Sequence, residues 1–543
     1  MSATTMTKVT SMNTLLSRVL MAGSLVLAAA VQAAAPGITG PTFVLTAQSA
    51  YLNQPDGNQV YSWGYGCNGA PAGFMPTTLT GQSCNKMQVP GPTLIVTEGQ
   101  TVTVNLANGL PTAAGNTSIL FPDFQVTKTG GVPGLLTQEA APGGSVTYTF
   151  TATTPGTHAY YSGTQGDLQI DMGLYGAIIV LPTSIPAACN SGVHAQNVLA
   201  QGSNSLAHPG FPEADFRLAH AAYDHPGSCY DREYLFQFAE MDLNIHRQAL
   251  AQVTAKLGCI AGAPGCSLEV ATEPYHPNYF LINGRSMPDD MDPNFDSVYP
   301  HQPYNGNPHM HPGEDVLIRV IGQGRWQHPF HEHGNHVRIL GRDGNLIKSV
   351  SDNYSRVSDS GTAALAGPLL FTTTTTPGQA FDGIFYWTGR GLNWDAYGHN
   401  PASGVAAAKL PCTPDVNGYN TGAPLAINYF EWCQDHNKPL QAAPFGDVPG
   451  GGPATLPDAN IFANGAWYGG SPYLGPDATT RATGPTSSQQ PSNIQANPGS
   501  ERGYAFMWHS HNEREITTNN VFPGGMFMMM LVDSREFVID EAM

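Results

Sequence analysis

Two short stretches, each with histidines two residues apart, constrain this chain most. One runs Trp326-Gln327-His328-Pro329-Phe330-His331-Glu332-His333-Gly334, and the other Trp508-His509-Ser510-His511-Asn512-Glu513. On a β-strand successive side chains point to opposite faces, so His331 and His333 share a face, as do His509 and His511. Two such strands laid side by side gather four imidazoles in one place. Imidazole is a ligand for copper, zinc, iron and nickel. A single pair reads equally well as a solvated strand. Two pairs, each beside aromatic residues, point to a metal site.

Composition limits the rest. Charged residues are 11% of the chain, against roughly 25% in average globular proteins. With 61 Gly and 44 Pro, the chain suits a β-rich fold with many turns. A net charge of −18 argues against nucleic acid or anionic membrane surfaces as partners, since both attract basic patches. Lys8 and Arg18 precede the apolar run Val19 to Val31, with small residues at Ala33 to Ala35. That pattern reads as a secretory signal over residues 1–35. The run is too short to span a bilayer, so no membrane anchor is expected, and the mature protein is expected in the periplasm or outside the cell. Eight cysteines follow the signal, an even number that suggests disulfides in an exported chain. Neighbour pairing (Cys67–Cys84, Cys189–Cys229, Cys259–Cys266, Cys412–Cys433) is the simplest scheme, although sequence alone does not give connectivity.

Along the chain, residues 36–185 read as one β domain. Pro92 to Val96, Gln100 to Leu106, Ser145 to Phe150 and Gly176 to Val180 are its clearest strands. Residues 186–228 read as a connector whose His194, His208, His220 and His225 are surface residues. A second β domain spans 229–543, with a short helix at Gln248 to Lys256 and strands at Tyr234 to Phe238, Tyr279 to Asn283, Gly313 to Val320 and Val337 to Leu340. Asp289, Asp290, Asp292 and Asp296 read as a solvated acidic turn. Residues 388–500, dominated by Gly, Pro, Asn and Ser, form an insertion too long for a plain connector. The chain returns to strand at Tyr504 to Trp508 and ends on Phe527 to Val532.

With these motifs in order, the chain resembles the multicopper oxidases, in a two-domain form. His328-Pro329-Phe330-His331-Glu332-His333-Gly334 stands where that family has His-Pro-x-His-x-His-Gly. His509-Ser510-His511, then Gly525-Met526, stands where it has His-Cys-His and Gly-Met. Pro90-Gly91-Pro92, Gly131-Val132-Pro133-Gly134, Pro142-Gly143-Gly144 and Leu174-Tyr175-Gly176-Ala177 extend the likeness to the first domain. The resemblance implies an all-β protein of two cupredoxin-like Greek-key β-sandwich domains, with copper as cofactor. It implies His331, His333, His509 and His511 as cluster ligands, and His328 and Met526 as what survives of a blue copper site.

The departures from the family are as informative as the match. Four first-domain histidines expected of the family fall on Leu120, Pro122, Tyr161 and Gly163. The blue-copper cysteine falls at Ser510, and its partner histidine near Glu515. His158 lies nearby but off the pattern. Glu332 and Glu513 alternate away from the ligand faces, so roles behind the ligands or at the surface suit them. The expectation is a copper oxidoreductase with a reduced copper set, acting on a small molecule or metal ion. The alternative is a secreted copper-binding or structural protein without turnover. On the histidines alone zinc also fits, and a homo-oligomer is compatible with the family.

Overall fold

The computed structural model describes residues 34–79, 81–201, 213–349, 364–390, 411–424, 426, 428–434, 470–471, 503–533, 535 and 539. The expected secretory signal, apart from Ala34 and Ala35, lies outside these residues, as do His208 and most of the 388–500 segment.

Alternating strands build the first half. The strands β1 (Gly37–Thr39), β2 (Thr42–Asn53), β3 (Gln59–Cys67), β4 (Leu94–Thr97), β5 (Thr101–Asn108), β6 (Ser145–Thr151), β7 (Gly156–Tyr161) and β8 (Tyr175–Leu181) form two sheets. One runs β7-β8-β4-β1 and continues to Phe74–Met75; the other runs β3-β2-β5-β6 and continues to Thr127–Gly130. In β6, Val146, Tyr148 and Phe150 face inward while Ser145, Thr147 and Thr149 do not, the period-two pattern of a half-buried strand. Phe43, Leu45, Trp63, Val104, Phe150, Tyr160 and Ile178 pack between the sheets as a single core.

The second half repeats the plan. Helix α1 (Gly192–Gln201) lies in the connector and α2 (Leu243–Ala255) follows β9 (Arg232–Met241). The later strands are β10 (Tyr279–Ile282), β11 (Asp315–Gly322), β12 (His328–Glu332), β13 (Val337–Arg342), β14 (Thr372–Thr375), β15 (Ala380–Tyr386), β16 (Gly503–Ser510) and β17 (Phe527–Asp533). One sheet runs β10-β9-β11-β15-β13; its partner runs from His309–Met310 through β17-β16-β12 to β14. Phe236, Phe238, Val320, Phe330, Trp508 and Met528 fill the space between them. The fold is all-β, with two sandwiches of mixed parallel and antiparallel sheets within one compact unit, Val31–Met543.

Several strands, β4, β8, β9 and β11 among them, are buried on both faces. In β8, Ile178 and Val180 enter the first core, while Ala177 and Ile179 turn to the second sandwich. In β9, Phe236 and Phe238 enter the second core and Leu235 turns to the first sandwich. β4 and β11 behave the same way through Ile95 and Ile321. A buried polar network sits beside this apolar contact. Arg319 Nε donates to Glu233 (2.9 Å), and Asp382 accepts from Thr157 Oγ1 (2.6 Å) and from the Tyr223 hydroxyl (2.7 Å).

Several readings are corrected here. The second helix begins at Leu243 rather than Gln248, because Asp242 caps it by accepting from Asn244 N at 2.8 Å. The connector is not featureless, and His225 in it is buried while His194 is part-buried. Asp290 of the acidic loop is fully buried rather than solvated. The four neighbour disulfides form, with Cα separations of 5.0–5.6 Å. Among the described residues no helix is long and apolar enough to cross a membrane.

Phe330 sits where β12 meets the second core, its ring 4.8 Å from Phe238 and 6.1 Å from Trp508. Replacing it with alanine leaves a cavity that its rigid neighbours cannot refill. Phe330→Ala is expected to cost roughly 3–5 kcal/mol in denaturant unfolding.

Candidate metal centre

β12 and β16 are antiparallel neighbours, with Phe330 opposite Ser510, His331 opposite His509 and Glu332 opposite Trp508. This register decides which side chains meet. His331 and His509 share the outer face. Phe330, Trp508 and Ser510 share the core face, and His328 and Glu332 alternate onto it as well. The pairing continues past the strand ends, since His333 N donates to Met507 O (3.1 Å) and His511 N to Pro329 O (2.8 Å). Gly334 then turns the chain at φ +100, where a Cβ would lie 2.9 Å from the Phe506 ring.

The four imidazoles converge. Ring centroids are 4.9 Å apart for His331–His333, 5.2 Å for His333–His509, 5.5 Å for His331–His509 and 4.7 Å for His331–His511. One nitrogen from each of His331, His333 and His509 lies within 4.8 Å of the other two. The Nε2 atoms of His333 and His509 are 3.3 Å apart. His331 is buried, His509 half-buried and His511 exposed, so the cluster opens to solvent on the His511 side. Groups behind the rings aim them. His331 Nδ1 meets Thr372 Oγ1 at 2.6 Å, His509 Nδ1 meets the Ser510 carbonyl at 2.7 Å, and the Trp508 indole donates to the His333 carbonyl at 3.0 Å. Burial, then the neighbouring rings of His333, His511 and His509, pushes His331 down to about 3. Burial also lowers His509. At neutral pH these two rings are neutral, the form in which imidazole ligates a metal.

His328 and Met526 do not join this cluster. His328 is buried between two carboxylates, with Nε2 2.9 Å from Glu240 and Nδ1 2.8 Å from Glu515. Both ring nitrogens are occupied, so it has no free lone pair for a metal. Burial alone would lower its pKa, but the hydrogen bonds to Glu240 and Glu515 outweigh that and raise it to about 9. The Ser510 hydroxyl donates to Glu515, and Asn512 Nδ2 donates to the other Glu515 oxygen at 2.8 Å. Met526 is packed in the second core. Glu332 is also fully buried, and burial holds its carboxyl well above the usual range. Glu513 is exposed. Thr372 and Glu240 were not singled out from sequence. Each lies far from the histidine motifs along the chain, and no local pattern marks it.

In the first sandwich, Leu120 bridges to Tyr161, and a Cβ on Gly163 would lie 2.7 Å from Leu120. Leu120 and Pro122 line a cavity with Phe121, Phe124, Gln125 and Lys128. His158 is buried and engaged by Asp123 at 2.9 Å and by the Thr154 carbonyl at 3.0 Å.

Residues 77–184 match the family model for multicopper oxidases. The matched stretch lies within the first sandwich and contains Leu120, Pro122, Tyr161 and Gly163, so the family match falls on the half that lacks the expected first-domain histidines. A multicopper oxidase from Talaromyces pinophilus is 39% identical over 98 residues, 18% of this chain and 15% of that protein. Copper resistance protein A from Pseudomonas syringae pv. tomato is 34% identical over 115 residues, 20% of this chain and 18% of that protein. The matched stretches therefore span less than a fifth of either relative. A blue copper oxidase from Nitrosomonas europaea aligns over 90% of this chain and 85% of its own, at 14% identity and a TM-score of 0.42.

The His328 setting makes a measurable prediction. Its folded pKa of about 9 lies above the ordinary 6.5. Protonated His328 therefore stabilises the fold fully below about pH 6.5, and this contribution is lost as pH rises through about 9. Unfolding free energy measured from pH 6 to 10 is expected to fall along that limb in the wild type, with the limb missing from His328→Gln.

Proposed function

We propose that this protein is an exported copper-binding oxidoreductase with a reduced copper set, held by His331, His333, His509 and His511. The observation that carries this reading is the convergence of nitrogens from His331, His333 and His509 within 4.8 Å, with His511 beside His331. The 3.3 Å between the Nε2 atoms of His333 and His509 fits two nitrogens bonded to one ion; tetrahedral geometry with bonds of about 2.0 Å gives an edge of about 3.3 Å. Copper rather than zinc follows from the multicopper oxidase family match at residues 77–184 and from the copper resistance relative.

Bound copper supplies a one-electron redox couple at this place. The protein's own contribution is orientation and access. Thr372 and the Ser510 carbonyl engage His331 Nδ1 and His509 Nδ1 and so orient the two rings. No thiolate leads electrons in, because the residue between His509 and His511 is Ser510, and its hydroxyl is engaged by Glu515. A small-molecule or metal-ion substrate therefore has to meet the cluster directly, from the side where His511 is exposed. The four disulfides support export to an oxidising compartment. The apolar residues at the first-domain ligand positions favour a second reading, in which copper is bound without turnover.

Copper loading of the purified protein tests both readings. We expect about one copper per chain that depends on the histidine cluster, with an EPR signal of nitrogen-ligated Cu(II) and no intense blue band, since no thiolate is in place. Oxygen uptake is expected with phenols or reduced metal ions. Retention of full copper by a His331→Ala, His509→Ala double variant, or an intense blue band, would sink the site assignment. Copper held without any uptake would sink the oxidoreductase reading and leave the binding protein.

A further inference from the structure

We infer that His194, Asp231 and Asp315 form a second cation site, selective for a divalent transition ion of the zinc class and separate from the histidine cluster. Three elements bring these side chains together. His194 comes from α1, Asp231 directly precedes β9, and Asp315 opens β11. One ligand atom from each lies within 4.8 Å of the other two. His194 Nδ1 is 3.0 Å from Asp231 Oδ1, and His194 Nε2 is 3.9 Å from Asp315 Oδ2.

The carboxylates are held in place from behind. The parallel pairing of β9 with β11 sets them side by side, through Asp231 N donating to Asp315 O at 2.7 Å. Asp315 N donates to Asp231 Oδ2 at 2.9 Å. Asn197, one helical turn after His194 and fully buried, donates to the same Asp231 oxygen at 2.8 Å and to the Gly313 carbonyl at 3.1 Å. Asp231 Oδ1 is thus left pointing at His194. The helix is itself braced, since the Tyr429 hydroxyl, near the Cys412–Cys433 disulfide, donates to Gln196 at 2.7 Å.

The charges around this place include two guanidiniums, Arg217 and Arg535, that act on Asp231. Two carboxylates share this partly buried place with one imidazole. Burial, then the Asp231 carboxylate, pushes Asp315 up to about 7, while His194 works the other way. The mixed nitrogen and oxygen donors suit zinc-class ions over calcium or magnesium, which take oxygen ligands. His194 and Asp315 are each partly exposed, at 17% and 31% of their side chains, which leaves an approach from solvent.

Zinc titration of the chelator-stripped full chain tests this, by calorimetry and by zinc per chain after desalting. The His331→Ala, His509→Ala background removes the first cluster from the count. In that background one zinc equivalent should remain, and His194→Ala should remove it. Asp315→Asn, at a partly exposed position, should weaken it by about tenfold or more. Near-ultraviolet circular dichroism and melting midpoints verify that each variant is folded, and Asp315→Asn decides the matter if His194→Ala is not. Equal zinc stoichiometry and affinity in the folded variants and their parent would overturn the site. If the parent background does not fold, the same comparison made in the wild-type chain should show one equivalent fewer in His194→Ala or Asp315→Asn, and no difference would overturn the site.

Discussion

The candidate centre depends on one register. β12 and β16 pair so that His331 lies opposite His509. A slip of one residue would turn the imidazoles into the core and bring His328 and Ser510 out. The register is secured by what lies on the other face. Phe330 and Trp508 interlock with Phe236, Phe238 and Phe385, a set of large rings that fits in one arrangement. Core packing on one face therefore positions the polar cluster on the other.

The core face of those same strands carries an ion-paired imidazole. His328 is a cation clamped between Glu240 and Glu515, and the Ser510 hydroxyl donates to Glu515. A buried charge needs a partner, and two carboxylates with hydrogen bonds provide one without a metal. In the first sandwich Leu120 and Pro122 lie beside Phe121 and Phe124.

The contact between sandwiches follows a single rule. Where a strand carries apolar side chains on both faces, as β8 does from Ala177 to Val180, one face makes the core and the other makes the contact with the neighbouring sandwich. Arg319, Glu233, Asp382 and Thr157 are placed within that contact and hydrogen-bond one another there. Helix α2 was partly legible through its apolar spacing, but its start was set by the Asp242 cap. Helix α1 was not anticipated, because its Gly-Val-His-Ala-Gln sequence carries no clear cap or apolar stripe.

The sequence by itself determined that each histidine pair shares a face, that long runs such as Gly176 to Val180 are strands, and that Ser510 supplies no thiolate. These are local properties, set by the two-residue period of a strand and by the chemistry of single side chains. Only the tertiary structure decided that β12 and β16 are neighbours, that His328 belongs to Glu240 and Glu515, and that His194 meets Asp231 and Asp315. Those partners are separated by 37 to 187 residues. Which distant segments meet is chosen by the packing of the whole core, and no local pattern of residues records that choice.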